Sequence, residues 1–200
     1  MKPIVALSFL FITLSAFADD SIEAFGRQMM TFYKSASPEA FQRFQQNADR
    51  FEKAMSENKN WENVLLAVAI AKIAEKHGWP IEARGTAGQR AKEILVRGSE
   101  LAKYIEDDKQ IDPTKLDIWW MSFFSTGDIL YLEKILQYAG EPNPTNDFPK
   151  MLVIATATWS FKSNCGQDEV VRAFAKQKLS STTTPEKKAF LQECIEDKQN

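Results

Sequence analysis

The single histidine, His77, is the residue whose type would matter most for metal binding or for acid–base catalysis. Zinc sites, and Ser–His or Cys–His catalytic sites, need an imidazole beside further ligands or a nucleophile. The sequence has no second histidine to complete such a set, and His77 directly precedes Gly78 at a predicted helix end. There its charge would favour the negative end of the helix dipole. We therefore predict a structural role for His77, with no metal site and no cofactor.

Two short motifs resemble catalytic or phosphate-binding signatures but lack the partners that such signatures need. The segment 56–59, SENK, fits the S-x-x-K pattern of penicillin-binding enzymes, yet no K-T-G follows anywhere in the chain. The segment 85–88, GTAG, lacks the lysine and the spacing of a phosphate loop. We therefore assign no catalytic residue and predict that the protein is not an enzyme.

Asp117 is the only acid within the strongly apolar segment 113–126. Burial would favour its protonated form and make it a candidate acid for an enzyme of the cell envelope. The alternative is that it lies on the one polar edge of a helix, together with Ser122 and Ser125, and this alternative is favoured. Asp117 is retained as a candidate for ligand or partner binding.

The tryptophans could anchor a partner, because an exposed indole combines a large apolar surface with one hydrogen-bond donor. Trp119 and Trp120 would point about 100° apart on a helix, so they cannot both face a single neighbour. The alternative is that tryptophans among other apolar residues at helical spacing belong to the core. Trp119, Trp120 and Trp159 are the binding candidates of this type.

Cys165 and Cys194 are the only two cysteines, and they are 29 residues apart. An exported chain with an even number of cysteines favours a disulfide, and this separation fits two adjacent antiparallel helices. Closing such a loop would stabilise the fold by about 3 kcal/mol. We predict a Cys165–Cys194 disulfide; the alternative is two buried free thiols.

The first 18 residues have the order of parts found in a cleavable signal peptide. Lys2 is followed by an apolar stretch from Ile4 to Leu14, and Ala16-Phe17-Ala18 is an A-x-A cleavage site. The apolar stretch is shorter than the roughly 20 residues that span a bilayer. We predict a signal peptide over residues 1–18, a single domain over residues 19–200, and a periplasmic or secreted location.

The charges are balanced, with 25 Lys and Arg against 27 Asp and Glu. Nucleic-acid binding needs a concentrated basic surface, which this composition does not favour. The densest apolar stretch after the signal peptide, Met151 to Phe161, is too short to cross a membrane. We expect neither nucleic-acid binding nor stable membrane insertion, and the sequence leaves the oligomeric state open.

Helical signals run through the whole chain, and strand signals are nearly absent. Phe41, Phe44, Ala48, Phe51 and Met55 recur at steps of three and four, which indicates a helix with one buried face. The pattern predicts an all-α fold of about eight helices. A helix over 87–105 is weakened by Gly98, and Asn164 to Gly166 are expected to form a turn.

Two segments resemble those of a known group of proteins. They are 116–128, LDIWWMSFFSTGD, and 159–164, WSFKSN. They are similar to segments in exported bacterial proteins built from tetratricopeptide-like helices, a group without an established activity. The resemblance covers the C-terminal half, and Cys165 departs from the pattern. It implies an exported protein of tetratricopeptide-like helices. The pattern of helices and short turns itself indicates antiparallel helical hairpins, and it leaves open a tetratricopeptide-like stack and a compact orthogonal bundle.

Three functions follow as hypotheses from these observations. The first is a non-enzymatic exported protein that binds a protein or peptide partner, since no catalytic set is present. The second is a periplasmic immunity or inhibitor protein. The third is an envelope enzyme that uses acidic residues such as Asp117.

Overall fold

The computed structural model describes residues 20–55, 64–109 and 111–196. The predicted signal peptide, the S-x-x-K match at 56–59 and Trp61 lie outside these residues. Within them, no helix is long and apolar enough to cross a membrane.

Across the described ranges the chain forms ten α-helices and one 3-10 turn, without a strand, so the prediction of an all-α fold is confirmed. The helices are α1 (Asp20–Thr31), α2 (Pro38–Met55), α3 (Val64–His77), α4 (Thr86–Leu95), α5 (Glu100–Glu106), α6 (Pro113–Thr126), α7 (Leu130–Leu136), α8 (Phe148–Gln167), α9 (Glu169–Ser181) and α10 (Pro185–Glu196). The 3-10 turn, Phe32–Lys34, follows α1.

One reason for the larger number of helices lies at Gly98. The helix predicted over 87–105 is in fact two helices, α4 and α5, and Gly98 lies in the turn between them with a φ of +84°. Ser99 then caps α5 by accepting a hydrogen bond from the Ala102 N–H at 3.1 Å. Since α4 ends at Leu95, the glycine that weakens the helical pattern lies in the break between two helices rather than within one.

The turn predicted at 164–166 is wrong, since α8 continues through these residues to Gln167. A helix end needs partners for its last carbonyls, and here a side chain supplies them. The Arg172 guanidinium donates to the carbonyl oxygens of Cys165 and Gly166, each at 3.0 Å. Asp168 alone separates α8 from α9, and its carboxylate caps α9 by accepting from the Val170 N–H at 2.9 Å.

The described residues form two compact units. The N-terminal unit consists of residues 20–55, 64–109 and 121–128, and the C-terminal unit consists of residues 111–120 and 129–196. The helix α6 contributes residues 113–120 to the C-terminal unit and 121–126 to the N-terminal unit. A single domain over residues 19–200 stays a prediction.

The core of the N-terminal unit is rich in phenylalanine. The predicted apolar stripe of α2 is buried at Phe41, Phe44, Ala48 and Phe51. The Phe25 ring of α1 lies 5.3 Å from that of Phe44, centroid to centroid. Helix α3 packs mainly against α4, and most of its residues are buried, as its apolar composition predicts.

The core of the C-terminal unit centres on Phe161 in α8. Its ring centroid lies 5.9 Å from that of Phe190 in α10 and 6.1 Å from that of Trp120 in α6. Helices α8, α9 and α10 all pack against one another. This three-helix contact fixes which side of α8 is buried and which side faces solvent.

Candidate binding groove

A surface groove lies in the C-terminal unit, between α8, α10 and the segment 140–143. Its volume is about 410 Å³. The buried side chains of Ile154 and Phe190 form its floor, and the exposed side chains of Glu141 and Trp159 stand at its edge. A concave surface of this size, with an apolar floor and a polar rim, is typical of binding sites.

Gly140 holds the 140–143 segment against the groove. Its φ is +72°, and a Cβ at this position would lie 2.5 Å from Cδ1 of Phe190, so only glycine fits. Its N–H donates to the Thr158 hydroxyl at 3.0 Å. The segment that leads into α8 is thereby fixed at its start, and one wall of the groove is built from backbone rather than from a movable side chain.

Charged side chains surround the apolar floor. Lys162 lies 3.4 Å from Glu193, and Lys187 lies 2.5 Å from Glu141. Glu186 in the first turn of α10 adds a third carboxylate to the lining, in which Lys162 is the only basic residue. The lining therefore carries more negative than positive charge, although two of its three carboxylates form ion pairs with lysines.

Among the three candidate tryptophans Trp119, Trp120 and Trp159, Trp159 is the accessible one, with 51% of its surface exposed. It belongs to an apolar stripe on the solvent side of α8, which we define as Phe148, Ala155 and Trp159. Steps of seven and four residues bring side chains to nearly the same side of a helix. Phe148 is 69% exposed, and Ala155 lines the groove.

Trp119 and Trp120 are core residues, with 2% and 0% exposure. The Trp120 indole N–H donates to the Ser160 hydroxyl at 3.0 Å. The Trp119 ring lies 6.2 Å from that of Tyr138, and Lys134 Nζ lies 5.5 Å from its centroid. Neither indole is accessible to a partner in this structure. Trp159 is therefore the one of the three candidate tryptophans that a partner could contact.

Asp117 is buried, with 4% exposure, and it lines neither groove. Lys115, in the same helix, is buried as well, at 1% exposure. Buried charged groups require compensating interactions within the fold. Asp117 is thus buried rather than presented at a surface where a substrate would meet it.

The two cysteines lie together in the interior, where both are free thiols. A hydrogen bond with Cys165, together with burial, raises the pKa of the Cys194 thiol. Cys165 belongs to α8 and Cys194 to α10, the two helices that wall the groove. The disulfide between them stays a prediction.

The glycine-rich segment 85–88 proves to be capped by carboxylates of its own chain. The Asp49 carboxylate accepts from the Gly85 N–H at 2.9 Å, and the Glu52 carboxylate accepts from the Ala87 N–H at 2.8 Å. A phosphate would need these same N–H groups at the start of α4. The N–H groups that a phosphate would bind are therefore already bonded to carboxylates of the protein itself.

The carboxyl group of Glu52 is partly desolvated in this contact, and its pKa is raised. Its Oε2 is buried and has no hydrogen-bond partner among the described residues. Burial raises the pKa of Glu52; the Ala87 N–H opposes this rise, and the nearby Asp49 carboxylate adds to it. Sequence reasoning missed this contact because α2 and α4 meet only through the tertiary fold.

Sequence reasoning also missed Lys162 and Phe190 of the groove, and Phe148 of the apolar stripe. A signal for Phe148 is present in the sequence, since it lies eleven residues before Trp159, a separation of three helical turns. No comparable signal marks Lys162 or Phe190, whose place in the groove depends on how α8 and α10 pack.

The described residues contain no group of His, Cys, Asp and Glu that could hold a metal ion. The chain was also compared with protein-family models, with curated proteins and with solved structures, and none of these comparisons gave a match.

Proposed function

We propose that this chain is an exported binding protein that holds a segment of a partner protein in the groove of its C-terminal unit. The observation that carries the proposal is the exposed indole of Trp159 at the edge of an apolar groove. An exposed tryptophan beside a concave apolar floor is the arrangement that supplies most of the binding energy in many protein interfaces. The predicted signal peptide and the resemblance to exported helical proteins support the location.

The shape of the apolar surface favours a polypeptide over a small molecule. The stripe from Phe148 to Trp159 is about 16 Å long at 1.5 Å per residue, and it extends beyond the groove along α8. A small ligand would fill the groove and leave Phe148 in water. A partner segment of about three helical turns would cover both aromatic side chains.

The rim predicts the chemistry of the partner. Three carboxylates and one lysine line the groove, so a basic side chain would find an acidic surface beside the apolar floor. Arg or Lys of the partner would compete with Lys162 and Lys187 for the two glutamates that these lysines pair with. The preferred segment therefore has an apolar or aromatic anchor with a basic residue close to it.

A peptide-display selection on the purified chain without residues 1–18 tests this proposal. Peptides are selected on the wild-type chain and counter-selected on the Trp159→Ala variant. We expect enrichment of an aromatic or aliphatic residue next to Arg or Lys. A parallel counter-selection on Leu130→Ala removes an exposed apolar residue of the same unit that is outside the groove, and it should leave the enriched peptides in place.

Two results would overturn the proposal. One is a selection in which no peptide motif is enriched over the naive library. The other is an enriched motif that binds the Trp159→Ala variant as well as it binds the wild-type chain. A chain that self-associates through Trp159 would appear as a concentration-dependent mass in light scattering, and this result would replace the partner protein by a second copy.

A further inference from the structure

A second, smaller groove of about 240 Å³ lies in the N-terminal unit, where the start of α2 faces the segment 79–82. Phe41, Trp79 and Pro80 contribute its apolar walls. Glu39 and Glu82, both exposed, contribute carboxylates to the same lining. The groove thus combines an indole with two acids, which is the combination that binds organic cations.

The wall formed by segment 79–82 is held in place by one buried side chain. Gln45 is 3% exposed, and its Oε1 accepts from the N–H groups of Glu82 at 2.6 Å and Ala83 at 2.9 Å. Its Nε2 donates to the Pro80 carbonyl at 3.3 Å. These bonds occupy the amide oxygen of Gln45 and one of its two N–H donors, and they hold the segment 80–83 against α2.

Trp79 is also held in a defined position. Its ring stacks on that of His77, with centroids 4.2 Å apart and planes 11° apart. The Phe41 ring lies 5.9 Å from the Trp79 ring. A preorganised aromatic wall binds at a lower entropic cost than a ring that must be ordered by the ligand.

The charges at this groove favour a cation. The backbone N–H of Glu39 and the Ser37 hydroxyl lower the pKa of the Glu39 carboxyl, which keeps it ionised. Burial and the charge of Lys76 lower the pKa of His77, so the imidazole against Trp79 is neutral near pH 7. Lys76 itself is directed elsewhere, since its Nζ donates to the Thr126 carbonyl. Arg43 is the cation close to Glu39 with which a ligand would compete.

We infer that this groove is a second binding site, distinct from the Trp159 groove, and that it takes a guanidinium group on an alkyl stem. A guanidinium is planar and weakly hydrated, so it stacks on an indole and donates to a carboxylate in the same position. Glu39 at the start of α2 and Glu82 across the groove offer such carboxylates. The inference does not depend on the function proposed for the C-terminal unit.

The test uses N-acetyl-argininamide as the probe and N-acetyl-citrullinamide, its neutral isostere, as the matched control ligand. Binding is followed by the indole N–H signal of Trp79 in two-dimensional NMR, assigned with a Trp79→Leu variant. We expect a saturable shift with the arginine probe and at least tenfold weaker binding of the citrulline probe. Equal shifts with both probes would overturn the inference.

A pair of double variants distinguishes the effect of the groove carboxylates on binding from the effect of the overall net charge. Glu39→Gln with Glu82→Gln should weaken binding of the arginine probe at least tenfold. Glu93→Gln with Glu106→Gln changes the net charge by the same amount at exposed positions outside the groove, and it should weaken binding less than twofold. Equal losses in the two double variants would show that general charge attraction is responsible and would contradict the inference. This comparison remains decisive if Trp79→Leu fails to fold.

Discussion

The indole N–H of Trp120 in α6 donates a hydrogen bond to the Ser160 hydroxyl in α8, with Nε1 and Oγ 3.0 Å apart inside the C-terminal core. The Ser160 hydroxyl in turn donates to the Ala157 carbonyl at 3.2 Å. Trp120 belongs to the LDIWWMSFFSTGD segment and Ser160 to the WSFKSN segment, the two segments that carry the resemblance. This bond therefore joins two segments of the C-terminal unit across 40 positions of the sequence.

Ser160→Ala should destabilise the protein because it leaves the Trp120 N–H buried without an acceptor. The expected loss in the free energy of unfolding is about 1–3 kcal/mol, measured by urea denaturation. Ser163→Ala, in the same helix and only half-buried, is the matched control and should cost less. Equal losses in the two variants would mean that the buried hydrogen bond does not stabilise the core.

Glu52→Gln should change how stability depends on pH. Burial raises the pKa of Glu52 above its ordinary value of 4.5. A carboxyl with a raised pKa in the folded state stabilises at low pH, and this contribution is lost as the pH rises through the folded-state value. Gln keeps a carbonyl acceptor for the Ala87 N–H without the charge. The stability of Glu52→Gln relative to wild type should therefore be greater at pH 7 than at pH 4.

Urea denaturation at the two pH values measures this difference. Glu93→Gln removes an exposed carboxyl from α4 and serves as the control. If Glu52→Gln gains no stability relative to wild type between pH 4 and pH 7, then ionisation of Glu52 does not lower the free energy of unfolding.

Helix α2 shows which features the sequence could predict and which it could not. The buried face of α2 is visible in the sequence because Phe41, Phe44 and Phe51 repeat with the helical period. The contacts that Asp49 and Glu52 make with segment 84–87 are not visible in the sequence, because they join residues about 35 positions apart through the tertiary fold. The same limit applies to the C-terminal end of α8, where the side chain of Arg172 donates to the carbonyl oxygens of Cys165 and Gly166.

The tryptophans show the same limit for the candidate site. Helical spacing identifies Trp120 and Trp159 equally well as members of apolar segments. Whether each is buried depends on where the neighbouring helices lie, and α9 and α10 cover the Phe161 side of α8 rather than the Trp159 side. The sequence could therefore name Trp159 among its candidates, but not separate it from Trp119 and Trp120.

The cysteine pair gives a prediction about the order of folding and oxidation. Hydrogen bonding to Cys165 and burial raise the pKa of the Cys194 thiol, and a protonated thiol reacts slowly with oxidants. We expect the Cys165–Cys194 disulfide to form quickly when the reduced, unfolded chain refolds in a glutathione redox buffer. Oxidation of the reduced, folded chain should be much slower.

Mass spectrometry after thiol alkylation measures both rates. The oxidised protein should also lose stability on reduction, by about 3 kcal/mol in the chain-entropy model. A mature chain that is isolated from an oxidising compartment with two alkylatable thiols would contradict the predicted disulfide.

The central claim, that Trp159 anchors a partner segment, is tested most directly by the affinity of the best selected peptide for three forms of the chain. Calorimetry on the wild type, Trp159→Ala and Leu130→Ala measures the three dissociation constants, and circular dichroism checks that each form is folded. Because Trp159 is half exposed, its removal should leave the fold intact. We predict that Trp159→Ala weakens binding by about 30-fold or more, as loss of about 2 kcal/mol at an anchor residue implies, while Leu130→Ala changes it less than twofold. A folded Trp159→Ala variant that binds the peptide as tightly as the wild type would contradict the account.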